Sequence, residues 1–275
     1  MSSSVPMTGP PKAGFPWPRF KPRFWARWFA GVRGHLPTVA EALASLLRTV
    51  VVALFLLTFV LQPYLIPSES MEHTLLVGDF LLVNKQVYAP AGSLSRWLPY
   101  REVERGDIVI FHPPDHPGHY YVKRVIGVPG DRLRIEDRRV TVNGLTLDEP
   151  YAAFEPAAAN PFRDEFPAKV YTDPQVDPAW WRQMQSLVRD GELAVPAGQY
   201  FVLGDNRNYS KDSRFWGLVA RQQIVARPLV IYFSLKRPST TDVQQAADDR
   251  LGHDRELAAR LTGFARWKRI FRVVH

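Results

Sequence analysis

From Ala42 to Leu61 the chain reads ALASLLRTVVVALFLLTFVL, 20 residues with Arg48 as their only charge. As a helix such a run rises about 30 Å, the thickness of a hydrocarbon core. Arg48 lies close enough to its start to snorkel to the headgroups. Pro63, in the extended QPYLIPS, is expected to end the helix. Beyond it the pattern changes to β-branched and aromatic runs cut by turn residues. DFLLVNKQVY, GDIVIFHPP, HYYVKRVIGVPGD, RLRIEDRRVTVNG, QYFVLGDNRN and QIVARPLVIYFSL each read as a strand or hairpin. VPGD and VNG supply turn chemistry. Helical periodicity is confined to about Pro178–Arg189 and to 240–262.

The reading is mainly β: an N-terminal transmembrane helix, then a barrel-like antiparallel β core with an inserted smaller α+β subdomain. The expected divisions are a tail at 1–40, the helix at 41–62 and core halves at 63–131 and 198–275. The Pro-broken insertion occupies 132–197, and the second core half carries the C-terminal helical segment.

Composition narrows the classes. Hydrophobic residues make up 46% of the 275 and aromatics 12%, which excludes a disordered chain. The absence of cysteine removes disulfides, thiolate nucleophiles and cysteine-based zinc sites together. The net charge of +8 is uneven: Lys12, Arg19, Lys21, Arg23, Arg27, Arg33 and Arg48 face Glu41 alone before residue 49. Arg266, Lys268, Arg269 and Arg272 form a second basic group. No nucleic-acid-binding pattern surrounds either group, so no nucleic acid is expected. The basic flank before the apolar run places the tail in the cytoplasm and everything after Leu61 outside. FPWPRFKPRFWARWF suits a segment lying on an anionic inner leaflet, and a Pro-broken disordered tail fits its composition as well. A cleaved signal peptide would share the apolar run, but the long Pro-rich stretch before it is a poor n-region.

IPSESMEHTL follows the apolar run and crowds Ser68, Glu69, Ser70, Glu72, His73 and Thr74 together. Lys123 sits mid-strand in YYVKRVIGV, where an ammonium is costly to bury. Burial lowers its pKa and makes a general base of it. A neutral lysine within hydrogen-bond reach of a serine hydroxyl activates that serine, the Ser–Lys form of the triad logic. The loop GDNRNYSKDSRFWG adds Asp205, Asn206, Arg207, Asn208, Ser210, Asp212 and Arg214. His73 is the rival base, but a Glu69–His73–Ser70 reading fails because adjacent residues on an extended strand point apart. His112, Asp115, His116 and His119 in HPPDHPGHYY are spaced irregularly by prolines and read as a solvated turn, with no metal implied.

IPSESMEHTLLVGDFLLVNK, RGDIVIF, YYVKRVIGVPGD and GDNRNYSKDSRFWG together resemble four ordered sequence boxes of the bacterial type I signal peptidases. RWKRIFRVVH resembles that family's C-terminus. The resemblance implies a membrane-bound serine endopeptidase of the bacterial inner membrane, acting on preprotein signal peptides after Ala-x-Ala-like residues. It implies a monomer without cofactor or metal. It makes Ser70 the nucleophile and Lys123 the general base, with Ser68 joining the Ser70 N–H in the oxyanion hole. Ser210 would orient the lysine, and Asp205, Arg207, Asp212, Arg214 and Arg124 would hold the site together. Tyr64, Ile66, Pro67, Leu75, Leu81, Ile110 and Val122 would line the shallow substrate pockets, and the substrate would bind as an added strand. Four positions depart from the pattern: Glu69 for the usual Gly, His73 for Pro, Asn208-Tyr209 for Asp-Asn, and Ala220 for Pro. Glu69 bears most directly on the site, because glutamate tolerates positive φ poorly. Ser70 lies nine positions after Leu61, which tethers the nucleophile within about 30 Å of the end of the apolar run.

Overall fold

The computed structural model describes residues 38–55, 61–88, 101–236 and 265–274. Residues 1–37 of the tail, 56–60 of the expected span and the expected helical stretch 240–262 lie outside the described residues.

Helix α1 is Val39–Phe55, 17 residues long. It begins with a capping box: the Glu41 N–H donates to the Thr38 hydroxyl, and the Thr38 N–H donates back to the Glu41 carboxylate. None of its residues is buried, and Leu43, Leu46, Leu47, Val51, Leu54 and Phe55 are all exposed. Among the described residues no helix is long and apolar enough to cross a membrane.

Leu61 does not continue a helix, contrary to the sequence expectation. It opens strand β1, Leu61–Leu65, which pairs antiparallel with β2, Asp79–Asn84, from Leu61 opposite Asn84 to Leu65 opposite Phe80. Cross-strand pairing wins there over helix propagation. Pro63 is tolerated because β1 is an edge strand, where a missing N–H costs no ladder bond.

The first sheet is a curled antiparallel half-barrel whose spine is β12, Ile224–Ser234. Its first residues pair with β3, Ile108–Phe111, and the remainder with β2. Register shifts at Ile224/Ala226, Pro228/Val230 and Ile231/Phe233 let one strand serve both arms, because bulges bend and twist the strand that carries them. β3 continues through a hairpin into β4, Tyr121–Gly127, followed by β10, Gln199–Leu203, and β11, Val219–Ala220. β10 pairs only from Arg124 onward, so the start of β4 has β3 as its sole ladder neighbour among the described residues. The Tyr64 hydroxyl donates to the Tyr120 carbonyl at 2.7 Å and links β1 to this open edge.

The second sheet has five strands in the order β7, β6, β5, β9, β8. These are Leu145–Thr146, Arg139–Val142, Arg132–Glu136, Glu192–Ala194 and Val188–Arg189. The helix expected at Pro178–Arg189 is observed as Pro178–Leu187, because Val188 and Arg189 turn into β8. Asp177 caps it by accepting from the Ala179 and Trp180 N–H groups, with Pro178 at its first position. Its buried face is Trp180 and Met184.

β3 is buried on both faces. Val109 and Phe111 enter a large apolar cluster with Val125, Leu133, Val140, Leu193 and Trp180, shared by both sheets. Ile108 and Ile110 enter a second cluster with Ile66, Met71, Leu75, Leu81 and Val122. At the head of β2 the wholly buried Asp79 accepts from the Ser234 hydroxyl at 2.6 Å and from Arg269 Nη2 at 2.5 Å and Nε at 3.1 Å. It also accepts from the Leu76 N–H at 2.8 Å. Part of the C-terminal basic group is thus a structural tie. Replacing Asp79 by Ala strands Arg269 beside a buried void and is expected to cost about 3–5 kcal/mol. Removing the exposed Arg134–Glu136 pair should cost under about 0.5 kcal/mol. Urea denaturation of both variants checks the contrast.

Candidate active site

Ser68 leaves β1 extended, at φ −130 and ψ 158, and Glu69–Met71 then wind into one 3-10 turn with Ser70 at its centre. The turn is held from beneath by Met71 and Leu75, both in the apolar cluster. From the side the Asn206 N–H donates to the Ser70 carbonyl at 3.2 Å, and Asn206 Nδ2 to the Glu69 carbonyl at 3.3 Å. Gly204 is required for this approach, since a Cβ there would collide with the Ser70 carbonyl oxygen and the Ser210 hydroxyl.

Glu69 does not take the left-handed conformation that its place in the motif called into question. It joins the right-handed 3-10 turn, and the left-handed residue is His73, at φ 80. Proline, whose ring fixes φ near −65°, cannot adopt that angle. His73 points away from Ser70: its Nε2 lies 3.4 Å from Glu155 Oε1, and both side chains are exposed.

Lys123 faces Ser70 from β4, in register with Val109 of β3. Its Nζ donates to Ser70 Oγ at 2.5 Å, and only 4% of the residue is exposed. Burial pulls its pKa from 10.5 down to about 8; Asp212 and Asp205 oppose the shift and Arg214 adds to it. Both carboxylates are already engaged. Arg124 grips Asp205 with Nε at 2.8 Å and Nη2 at 2.7 Å, and Arg214 grips Asp212 with Nε and Nη2, both at 2.8 Å. Burial alone raises the Asp212 pKa, but Arg214, Ser210 and the Gly204 N–H bring it below the usual carboxylate value. Such pairing is what keeps buried carboxylates ionised.

The remaining expected residues divide. The Ser68 hydroxyl lies 3.4 Å from Ser70 Oγ. The Ser70 N–H belongs to a first helical turn, where backbone donors lack an intrahelical partner. The two groups therefore flank Ser70 Oγ. Arg207 holds Glu149 with Nη1 at 2.9 Å and Nη2 at 2.6 Å and donates to the Gly204 carbonyl. Ser210 is buried and makes no hydrogen bond to Lys123; its hydroxyl sits beside Asp212, whose carboxyl it helps hold below the usual value.

A cleft of about 340 Å³ opens over the dyad, with Tyr64, Ile66, Pro67 and Val122 among its walls. Leu75, Leu81 and Ile110 are not in that lining; they lie beneath it, buried in the cluster that forms its floor. Burial pushes the Tyr64 phenol up to about 12, with Tyr120 adding to the effect. Sequence reasoning missed Met71, Tyr120, Tyr121, Tyr209 and Lys211, which also line the cleft. Tyr121 shares a strand face with Lys123 two residues on, and that alternation was a usable signal. The missed supports Glu149 and Tyr151 carried none, since their partners Arg207 and Arg124 lie far away in sequence. The histidine-rich segment is the β3–β4 hairpin loop: His112 stacks on Tyr120 at 4.4 Å, and Asp115 meets Lys211 at 3.5 Å.

Residues 39–233 match the family described as "Signal peptidase, peptidase S26". The chain is 34% identical over 218 residues to a signal peptidase I of Pseudomonas fluorescens, covering 74% of this chain and 75% of that one. It is 34% identical over 234 residues to a signal peptidase I of Aquifex aeolicus, covering 73% and 87%. With a signal peptidase I of Pseudomonas aeruginosa it shares 31% over 224 residues, covering 75% and 77%.

The lysine carries a stability signature of its own. It titrates at about 8 in the fold and at 10.5 when unfolded, so between those values the unfolded chain binds more protons and stability rises with pH. The cost is absent above the higher value and full below the lower one. Lys123→Met should therefore gain on wild type by ~3 kcal/mol as pH falls from about 10.5 to about 7. Paired denaturation curves at the two pH values measure it, and a gap that does not change with pH would contradict the lowered pKa.

Proposed function

The chain belongs to the signal peptidase, peptidase S26, family, and from that premise we propose that it is a serine endopeptidase that removes signal peptides from exported preproteins. The observation that carries the mechanism is the 2.5 Å line from Lys123 Nζ to Ser70 Oγ, buried from water, on a lysine whose pKa is pulled to about 8. With the amine neutral, the Ser70 hydroxyl passes its proton to Nζ as Oγ attacks the scissile carbonyl. The Ser70 N–H and the Ser68 hydroxyl stabilise the oxyanion. The C–N bond then breaks, the leaving amine takes the proton from Nζ, and the signal half remains as an ester on Ser70. Water attacks that ester with Lys123 again accepting a proton, which returns to Ser70 Oγ.

The substrate enters as an added strand between the Ile66–Ser68 segment and the start of β4, whose free edge suits β-augmentation. Tyr64, Ile66, Pro67 and Val122 confine the side chains before the cut to small ones. Arg124, Asp205, Arg207, Asp212 and Arg214 hold the geometry, with Ser210 packed beside the dyad. Stretch 132–197 is read as an insert between the core halves 63–131 and 198–275; the second sheet's strands, all within it, support this reading. The exposed apolar surface of α1 and the apolar run in the sequence, with Arg48 its only charge, support a single inner-membrane anchor. In this reading the basic tail lies on the inner leaflet, the dyad works outside the cytoplasm, and the enzyme is a monomer.

Ser70→Ala and Lys123→Ala should each abolish cleavage of a preprotein, since the two act as one unit. Ser68→Ala should slow it by roughly 10²-fold, as loss of an oxyanion donor does, and His73→Ala should stay within about tenfold. For a short peptide with Ala at −3 and −1, kcat/KM should climb with pH through about 8, the lysine value. Lys123→Arg should not rescue activity, because guanidinium stays protonated. A limb near about 6.5 that vanishes in His73→Ala would replace the lysine by a histidine base. For topology, a reporter active only outside the cytoplasm should work when fused after residue 110 and fail at residue 30; the reverse would put the dyad in the cytoplasm.

A further inference from the structure

Tyr64 belongs to β1, yet its hydroxyl reaches across the cleft and donates to the Tyr120 carbonyl at 2.7 Å. The direction of that carbonyl follows from strand alternation. The Val125 N–H and carbonyl both bond toward residues 106–107, on the β3 side. Lys123 and Tyr121 share that side, so the backbone groups of Val122 and Tyr120 face the open edge. An added strand would use Val122 first and the Tyr120 carbonyl next. The second of these acceptors is already taken. Packing holds the contact in place: the Tyr64 and Tyr120 rings meet edge to face at 6.3 Å and 85°, and His112 also stacks on Tyr120 at 4.4 Å. Burial pushes the Tyr64 phenol up to about 12, so its hydroxyl remains a donor through the neutral and mildly alkaline range. An incoming amide N–H could displace it only one bond for one, with no net gain.

Resting on the peptidase reading above, we propose that Tyr64 is a specificity-determining stop: its hydroxyl ends the substrate's β-ladder at Tyr120, and the chain further upstream leaves the groove there. Tyr120 lies three positions before Lys123, about 10 Å along a strand. With the scissile carbonyl at the dyad, that length holds residues −3 to −1 and no more. Residues before −3 find no free acceptor on β4. The stop is the property of one oxygen atom. Phenylalanine at position 64 would keep the ring contact and leave the Tyr120 carbonyl open to the next substrate residues.

The test uses peptides that share one Ala-x-Ala half and one mature half and begin, acetylated, at −3, −4, −5, −6 or −7, with alanine or serine added upstream. With wild type, kcat/KM should stay within about twofold from the −4 start onward. With Tyr64→Phe it should go on rising, by about fivefold over the next two residues, the return of one further ladder hydrogen bond. A second measurement needs no variant and stands even if Tyr64→Phe does not fold: single amide nitrogens of the longest peptide are methylated. In wild type, methylation at −4 to −6 should change kcat/KM by less than about twofold, and at one or more of −3 to −1 it should cost about tenfold. A wild-type rate that climbs beyond −4, a loss on methylation at −4 to −6, or the same plateau in both proteins would overturn the stop. If wild type cleaves none of the peptides, or Ser70→Ala cleaves them equally, it is the peptidase reading that fails, so the two failures are distinguishable.

Discussion

A primary amine buried against a single hydroxyl is the constraint on which the rest of the site depends. Taken out of water, Lys123 gives up its proton more readily only if no unscreened negative charge faces it. Yet Asp205 and Asp212 both act on it, and each raises its pKa. The fold resolves this by giving each carboxylate its own arginine in a two-pronged grip, Arg124 on Asp205 and Arg214 on Asp212. The two pairs are nearly neutral as units, so desolvation remains the largest influence on the amine. The charges crowded into GDNRNYSKDSRFWG are thus needed in pairs, and removing one member exposes the lysine to the other.

The paired charges are themselves fixed from residues 149–153. Glu149 takes both terminal nitrogens of Arg207, and the ring of Tyr151 lies 3.9 Å from the Arg124 guanidinium. Ala153 bridges the loop: its N–H donates to the Asp205 carbonyl and its carbonyl accepts from the Arg207 N–H. Between those two residues Asn206 reaches the Glu69 and Ser70 carbonyls. One line of hydrogen bonds therefore runs from residues 149–153 through the loop to the backbone of the nucleophile. The large apolar cluster shared by both sheets keeps that line short. In this arrangement residues 149–153, just beyond β7, hold the loop in place around Ser70.

The strands were legible in the sequence because β-branched runs between turn residues leave few alternatives. Lys123 stood out because an ammonium in an apolar strand calls for a reason. What stayed hidden depends on distance along the chain. No local pattern ties Glu149 to Arg207 or Asp79 to Arg269, since the pairing is decided by a curled sheet that brings remote segments together. The division of the apolar residues was equally hidden: Ile66 and Val122 line the cleft while Leu75, Leu81 and Ile110 are its floor. Periodicity gives the face of a strand, but curvature decides which residues of that face a substrate can touch. The end of the apolar run failed for a similar reason, because β1 takes Leu61 for the sheet.

The same long-range ties account for the unusual backbone after the nucleophile. A histidine at φ 80 is strained, at a cost on the order of 1–3 kcal/mol, and such a conformation persists only where its surroundings over-determine it. Here they do. Immediately beyond His73, the Thr74 hydroxyl donates to Asp205 at 2.6 Å and the Thr74 carbonyl accepts from Arg269 at 2.9 Å. Arg269 in turn is locked on Asp79 at the head of β2. Before His73, Met71 is sunk in the apolar cluster, as is Leu75 beyond it. With both flanks fixed, residues 72–73 must close whatever gap remains, and the left-handed turn closes it. The strain at His73 thus follows from placing Ser70 against Lys123, which explains how a side chain turned away from Ser70 can hold so constrained a conformation.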